Sequence, residues 1–491
     1  MRYVVRVAVL SALVILVVSS ALAQAPSSTI TPAPYPLASN AQGDQASGTA
    51  PLDRTVSSPK QKGDGGDAYA TALAYVTTFY PRWFTHIQSS FAACNQLVGP
   101  DHISPVYHVV VAINDDTLYV TTFVCVQDQP TIVTVPSTKD NYSVLQLDGF
   151  GDIFGAIPNL QPGVYGLTPP GWVGDLPPEV IRIPVPYTVS ELIFRADKFS
   201  PTGQDMTKEA ELFRRSLHVA SLSDYETDHN AGAAEIVPEA DFAVPLKQTA
   251  DQLVASDAIT FLTQLQAAVL DPSTQPLTPS EQTLSNNFNT LFLNHSLDPD
   301  FIAGAQAAHA ALDADYLAHF LTGTTWITFT NIGYWNTTSQ GYLDRSAIAE
   351  YLQYGNNRST AGYYQTFLDG HGRPLDGSTR GYILTFPAGG QPETNRFWSL
   401  TAYLPDSIEL VPNDANKYVV GSYTPGLVTN SDGSVSIFMF ATQPPGVPEA
   451  NWLPIPKGPF NVMLRDYGPA GSVVDNTYVP PPVMAVGPST K

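Results

Sequence analysis

Cysteine is scarce in this chain, basic residues are far outnumbered, and the familiar catalytic signatures are missing. There are 23 Lys and Arg against 44 Asp and Glu in 491 residues, a formal net charge of −21. No basic stripe offsets that excess, so nucleic acid and anionic membrane surfaces, which both present phosphate, are excluded as partners. There is no HExxH, P-loop, GxSxG elbow or CxxC, which removes the zincin, phosphate-loop, serine-hydrolase elbow and dithiol readings. The nine histidines are dispersed without metal-ligand spacing. His309 and His319 fall almost three turns apart on a predicted helix and do not share one metal. No metal and no cofactor is predicted. Past the N-terminus, no apolar run approaches the roughly 20 residues of a membrane span.

What is present begins with an ordinary globular balance, 43% hydrophobic and 14% charged, with 43 prolines that imply much loop. The length allows two or three domains with substantial cores. Arg2 and Arg6, the apolar run Val7 to Val18 and Ala21-Leu-Ala23 read as a cleaved secretory signal over 1–23, with an uncleaved anchor as the competing reading. The signal predicts a secreted or periplasmic protein with no membrane attachment after cleavage. Residues 24–67 are rich in Pro, Ser, Thr, Gly and Ala and bury too little to offset ordering entropy, so they read as a flexible leader. Export opens two readings of Cys94 and Cys125, a disulfide or two buried thiols. Asn141, Asn294, Asn336 and Asn357 head N-x-S/T sequons and are glycan acceptors in a eukaryotic host.

Tyr69, Leu73, Val76 and Tyr80 have helical spacing, and the helix is expected to end near Pro81. Short apolar runs follow at Val106 to Ile113, Leu118 to Val126, Thr131 to Val135, Tyr142 to Leu147, Val180 to Ile183 and Val189 to Phe194. Closely spaced strands without helices between them indicate antiparallel sheet. The middle turns helical, with Met206, Ala210, Phe213 and Leu217, then Leu262, Leu265 and Val269, then Phe301 to Tyr316. Thr278-Pro-Ser-Glu281 supplies a capping box. From Arg396 to Tyr467 strand patterns return: Trp398, Leu400 and Ala402 alternate with Phe397, Ser399, Thr401 and Tyr403, and Asp432-Gly433 is hairpin chemistry. The expected architecture is mainly β with an α insertion. It comprises a β domain at 68–200, a helical connector at 201–322 and a β domain at 323–491, both β domains being antiparallel jelly-roll-like sandwiches.

The C-terminal block, with Trp398-Ser-Leu-Thr, Asn430-x-Asp-Gly-Ser, Asn451-Trp-Leu-Pro-x-Pro and Leu464-Arg-x-Tyr-x-Pro469, resembles the DUF1214 domain. Asn114-Asp-Asp-Thr-Leu-Tyr119, Val135-Pro136 and Leu145-Gln-Leu-Asp148 are similar to its usual companion, DUF1254. The resemblance implies architecture rather than activity. It singles out Asn114, Asp116 and Tyr119, whereas Asp115 stands where an arginine is common and is expected to face solvent.

Two function classes follow. The first is a hydrolase acting on a glycan or other polar substrate in an inter-domain cleft. Asp116 and Asp148 are its candidate acid and base, although Asn and Asp at this spot also serve as turn formers. The second is a non-catalytic carbohydrate or small-ligand binder, or an extracellular structural protein. Asn114, Tyr119, Trp398, Tyr403, Asn430, Asp432, Asn451, Trp452 and Arg465 are candidate ligand contacts in both, being aromatic platforms with amide and charged partners. Each has a structural alternative in a core or a turn.

Overall fold

The computed structural model describes residues 65–100, 105–153, 161–185, 188–232, 235–239, 242–273, 275–295 and 299–487. The signal-peptide reading and all but the last residues of the leader lie outside them. Among the described residues no helix is long and apolar enough to cross a membrane.

The first element is a helix, α1 (Gly65–Ser90), and it is longer than its sequence predicts. Pro81 sits inside it rather than ending it. Proline removes the N–H that would bond the carbonyl four residues back, here that of Thr77. That carbonyl instead accepts the Ser346 hydroxyl at 2.8 Å, and the next one, of Thr78, accepts Arg345 Nη2 at 2.7 Å. Both donors lie on a later helix, α8 (Ser339–Tyr351). Tyr75, Val76, Phe79, Tyr80, Trp83 and Phe84 of α1 are all buried, covering more than one face. A helix apolar on every side belongs in an interior. Here it is packed among α5 (Ala258–Leu270), α6 (Pro279–His295), α7 (Pro299–Ala318) and α8. The capping box closes as expected: Thr278 N–H donates to Glu281 at 2.8 Å, and Glu281 N–H to the Thr278 hydroxyl at 3.3 Å.

The N-terminal strands are β1 (Thr117–Cys125), β2 (Thr131–Val135), β3 (Tyr142–Leu147), β4 (Gly163–Thr168), β5 (Val180–Pro184), β6 (Val189–Asp197) and β7 (His218–Ser221). They form two sheets, ordered β1-β6-β3 and β5-β4-β2-β7, with β4–β5 parallel and the remaining pairs antiparallel. Val120, Val133, Val144, Phe194 and Val219 share one core between them. Val106 to Ile113, expected as a strand, is not one. Its backbone is engaged elsewhere, Leu246 N–H bonding His108 O and Ala112 N–H bonding Ile408 O.

The C-terminal strands are β8 (Ala361–Thr366), β9 (Gly381–Phe386), β10 (Thr394–Tyr403), β11 (Val419–Gly421), β12 (Val435–Phe440), β13 (Trp452–Pro454), β14 (Asn461–Pro469) and β15 (Val483–Val486). Their sheets run β11-β10-β14-β8 and β13-β12-β9-β15. Trp398, Leu400 and Leu464 of the first share a core with Leu384, Ile437 and Met439 of the second. The other face of β10 and β14 is buried too, Phe397, Tyr403, Met463 and Tyr467 meeting the 107–113 arm and the helices. The whole is a mixed α+β structure with mostly antiparallel sheets.

Cys94 and Cys125 are disulfide-bonded, with Cα atoms 5.5 Å apart across a separation of 31 residues. Closing that loop contributes about 3 to 4 kcal/mol in the chain-entropy account.

Candidate functional site

A strand places alternate residues on one face, and four strands line a single cavity in this way. From β1 come Tyr119 and Thr121, from β6 Glu191, Ile193 and Arg195, and from β14 Arg465 and Tyr467. Tyr119 pairs across the ladder with Arg195, and Arg465 with Tyr363 of β8, which also lines the cavity. Asn114, Gln353 and Tyr354 complete its polar wall. The volume is about 40 Å³.

The arm from Tyr107 to Ile113 is clamped over this space. Arg465 Nη2 donates to Ala112 O at 2.5 Å and the Tyr403 hydroxyl to Ile113 O at 2.7 Å. Ala112 is held at φ 58°, a left-handed conformation that costs a side-chain-bearing residue about 1 kcal/mol or more. Asn114 then turns the chain into β1, its Oδ1 accepting Asp116 N–H at 2.9 Å and Thr117 N–H at 3.1 Å. Its Nδ2 reaches the Tyr467 hydroxyl at 2.6 Å and the Tyr119 hydroxyl.

Charge in the cavity is unbalanced. Arg195 is 5% exposed and Arg465 1%, and neither makes an ion pair among the described residues. Arg195 donates to Tyr354 O at 3.0 Å and to Asn356, yet its Nε has no hydrogen-bond partner, and neither does Arg465 Nη1. Burial pushes Glu191 up to about 8, against the pull of the Tyr354 hydroxyl and Arg195, and pushes Glu239, at the cavity's edge, up to about 7. At neutral pH Glu191 therefore keeps its proton and does not neutralise the guanidinium beside it.

Two family matches cover the faces of this cavity. Residues 94–221 match "Protein of unknown function (DUF1254)" and residues 360–471 match "Protein of unknown function (DUF1214)". The chain carries a DUF1254 domain followed by a DUF1214 domain. The crystal structure of the VPA0106 protein from Vibrio parahaemolyticus is similar in fold. Its TM-score is 0.53 at 20% identity, covering 85% of this chain and 100% of that one. A putative uncharacterized protein from Burkholderia cenocepacia matches at TM-score 0.37 and 14% identity over 86% of this chain and 88% of that one. No curated protein matches the sequence.

Of the sequence-derived candidates, Asn114 and Tyr119 of the DUF1254 domain and Arg465 of the DUF1214 domain do meet at the cavity. Asp116 lies behind it, its oxygens accepting Ser399 Oγ at 2.7 Å and the Tyr423 hydroxyl, and it acts on Arg465 only through space. Asp148 accepts the Phe150 and Asp152 amides at 2.8 and 3.0 Å and lines a second, smaller cavity of about 20 Å³ with Arg82 and Asp271. Asp116 and Asp148 are 0% and 2% exposed. Both carboxylates thus act as internal hydrogen-bond hubs, the turn-forming role rather than an open acid and base. Asp115 is not solvent-facing: it is half-buried and pairs with Lys198 at 2.6 Å.

The remaining candidates are structural. Trp398 is core and donates Nε1 to Gln391 at 2.9 Å. Tyr403 anchors the arm. Asn430 and Asp432 shape the β12 turn, Asp432 accepting Ser434 N–H at 3.0 Å and Asn430 donating to Ser434 Oγ at 2.9 Å. Asn451 staples Val428 to Ser436, and Trp452 bonds Phe440 O at 2.9 Å. None of these six lines the cavity. Among the sequons, Asn141 and Asn336 are exposed, and the side chain of Asn294 lies outside the description. Asn357 is 1% exposed and donates to Tyr334 at 3.1 Å, so the folded chain offers no glycan acceptor there.

Sequence reading missed Glu191 and Arg195. The signal was available: a strand reading Glu191-Leu-Ile-Phe-Arg195 holds two charges at positions of equal phase within an apolar run, which is costly unless they serve something.

Proposed function

We propose that this exported protein binds a small carboxylate or similar oxyanion between its DUF1254 and DUF1214 domains, gripped by Arg195 and Arg465. The observation behind this reading is a pair of buried guanidiniums lining one cavity, each with an unpartnered N–H group and no carboxylate in ion-pair contact. A buried cation without a partner is expensive, and a bound oxyanion offers the paired geometry guanidinium prefers. Tyr119, Tyr467 and Asn114 would orient the rest of the ligand, and protonated Glu191 could donate to it. A cavity of about 40 Å³ suits a group of a few atoms; glycan-sized ligands occupy sites of roughly 300 Å³ or more. The hydrolase reading loses support because Asp116 and Asp148 are already satisfied by internal hydrogen bonds. The jelly-roll reading of each β domain belongs with this proposal, supported by the cores shared between paired sheets.

Titration calorimetry with acetate, oxalate and inorganic phosphate tests the site. The wild-type chain should bind at least one of them, and Arg195→Met should weaken that binding tenfold or more. Arg195→Lys, which keeps the charge without the fork, separates lost recognition from lost folding by retaining part of the affinity. Saturable binding unchanged in Arg195→Met, or no binding of any of the three by wild type, would remove the proposal.

A further inference from the structure

Away from the cavity, two His-centred clusters lie ten residues apart, one at His309 within α7 and one at His319 just past its end, and both draw a carboxylate from α8. In the first, His309 Nε2 meets Asp251 Oδ1 at 3.1 Å and both surround Glu350, which is 0% exposed. The cation there comes from the chain: Lys247 Nζ bonds Glu350 and lies 3.1 Å from Asp251 Oδ2. In the second, Asp315 in the last turn of α7 and His319 just past its end converge with Asp344 of α8. One ligand atom from each lies within 4.8 Å of the other two. No Lys or Arg pairs with Asp315 or Asp344 among the described residues.

The imidazole orientation is informative. His319 Nδ1 lies 2.9 Å from the backbone carbonyl of Asp315. A carbonyl only accepts, so Nδ1 carries the proton, and in the neutral ring Nε2 presents a lone pair. That lone pair sits 3.7 Å from Asp344 Oδ1, another acceptor. Asp315, with its side chain 9% exposed, holds Oδ2 at 3.7 Å from the Nδ1 side of the ring, and that oxygen has no hydrogen-bond partner. Phe329 stacks on the imidazole at 3.9 Å and fixes its plane. Gln340 donates to Asp315 and Asp344 at 2.8 and 2.6 Å, and Asn331 to Asp344 at 2.8 Å, so the carboxylates are held in place. The Nε2 lone pair facing Asp344 Oδ1, together with the unpartnered buried Asp315 oxygen, calls for a cation among the three groups.

We propose that Asp315, His319 and Asp344 bind one divalent transition-metal ion of the zinc class through one imidazole nitrogen and two carboxylates. Such a mixed nitrogen and oxygen set suits zinc or manganese, and three protein ligands leave a position for water. The inference stands apart from the oxyanion cavity. Calorimetric titration of the chelator-treated full chain with ZnCl₂ and MnCl₂ should show one saturable site. His319→Ala and Asp344→Asn should each weaken it tenfold or more, while His309→Gln, in the lysine-filled cluster, leaves it unchanged. His319 is 30% exposed in its side chain, so His319→Ala should fold even if Asp344→Asn does not, and circular dichroism checks this. Absence of a one-equivalent site in wild type, or equal affinity in His319→Ala, overturns the proposal.

Discussion

Asp116, in the turn that opens β1, accepts the hydroxyl of Ser399 on β10 at 2.7 Å and so ties the DUF1254 domain to the DUF1214 domain. Because the carboxylate is 0% exposed and also receives the Tyr423 hydroxyl, it has no water to fall back on. Asp116→Ala would strand both hydroxyls in the interior and is expected to cost about 3 kcal/mol, whereas Asp116→Asn retains one acceptor and should cost roughly half as much. Urea denaturation decides this, through midpoints compared at constant slope. Equal stability of wild type and Asp116→Ala would mean that the two domains hold together without this contact.

The buried acids set an unusual pH response. Burial raises Glu191 to about 8 and Asp148 and Asp466 to about 7. An acid whose pKa is higher folded than unfolded binds more protons in the native state between those two values, so stability falls as pH rises through that window. The chain should therefore melt at higher temperature near about pH 5 than near about pH 8. The opposite contribution comes from Asp251, which Lys247 and His309 hold below the carboxylate range despite its burial; it acts only in more acid solution. Glu191→Gln, which cannot ionise, should flatten the decline, and melting curves across this range would expose a slope of the wrong sign at once.

How far the sequence could be read depended on the reach of the partner. Local signals held: short apolar runs located β1 and β3, alternation located β10, and Thr278 with Glu281 located the start of α6. Signals that depend on distant chain did not. The 107–113 arm has the apolar content of a strand, but its carbonyls meet Arg465 and Tyr403 some three hundred residues away. His309 and His319 were rightly separated from each other, yet the spacing rule was blind to Asp251, Asp344 and Glu350, which only helix packing delivers. Trp398 was a candidate ligand platform as an aromatic residue among amide and charged partners. Both faces of that strand are buried, so alternation had no solvent face to mark.

Lys247 makes the strongest case for a charge that cannot be removed alone. It bonds Glu350 and Asp251, and Tyr80 also donates to Glu350. Lys247→Met would leave two carboxylates and one imidazole around an apolar side chain, a loss of about 3 to 5 kcal/mol. Burial, with Asp251 close by, already raises Glu350 to about 8 even with Lys247 present. Without the ammonium Glu350 should hold its proton to still higher pH, so the variant's deficit ought to widen as pH rises through and beyond about 8. Denaturation at two pH values measures both effects, and a deficit independent of pH would count against the charge-based account.

Pro81 and Ser346 supply the sharpest test of how α1 survives an interior proline. The ring removes one helical donor, and Ser346 on α8 replaces it at the Thr77 carbonyl at 2.8 Å. Ser346→Ala leaves that buried carbonyl unpaired, at a cost of about 1 to 2 kcal/mol. Pro81→Ala restores an N–H able to bond Thr77 within the helix, so the same serine truncation should then cost little. The two substitutions are therefore expected to be non-additive by about 1 kcal/mol in a double-mutant cycle. Additive behaviour would show that Ser346 contributes through packing against α1 and not by filling the donor position proline vacates.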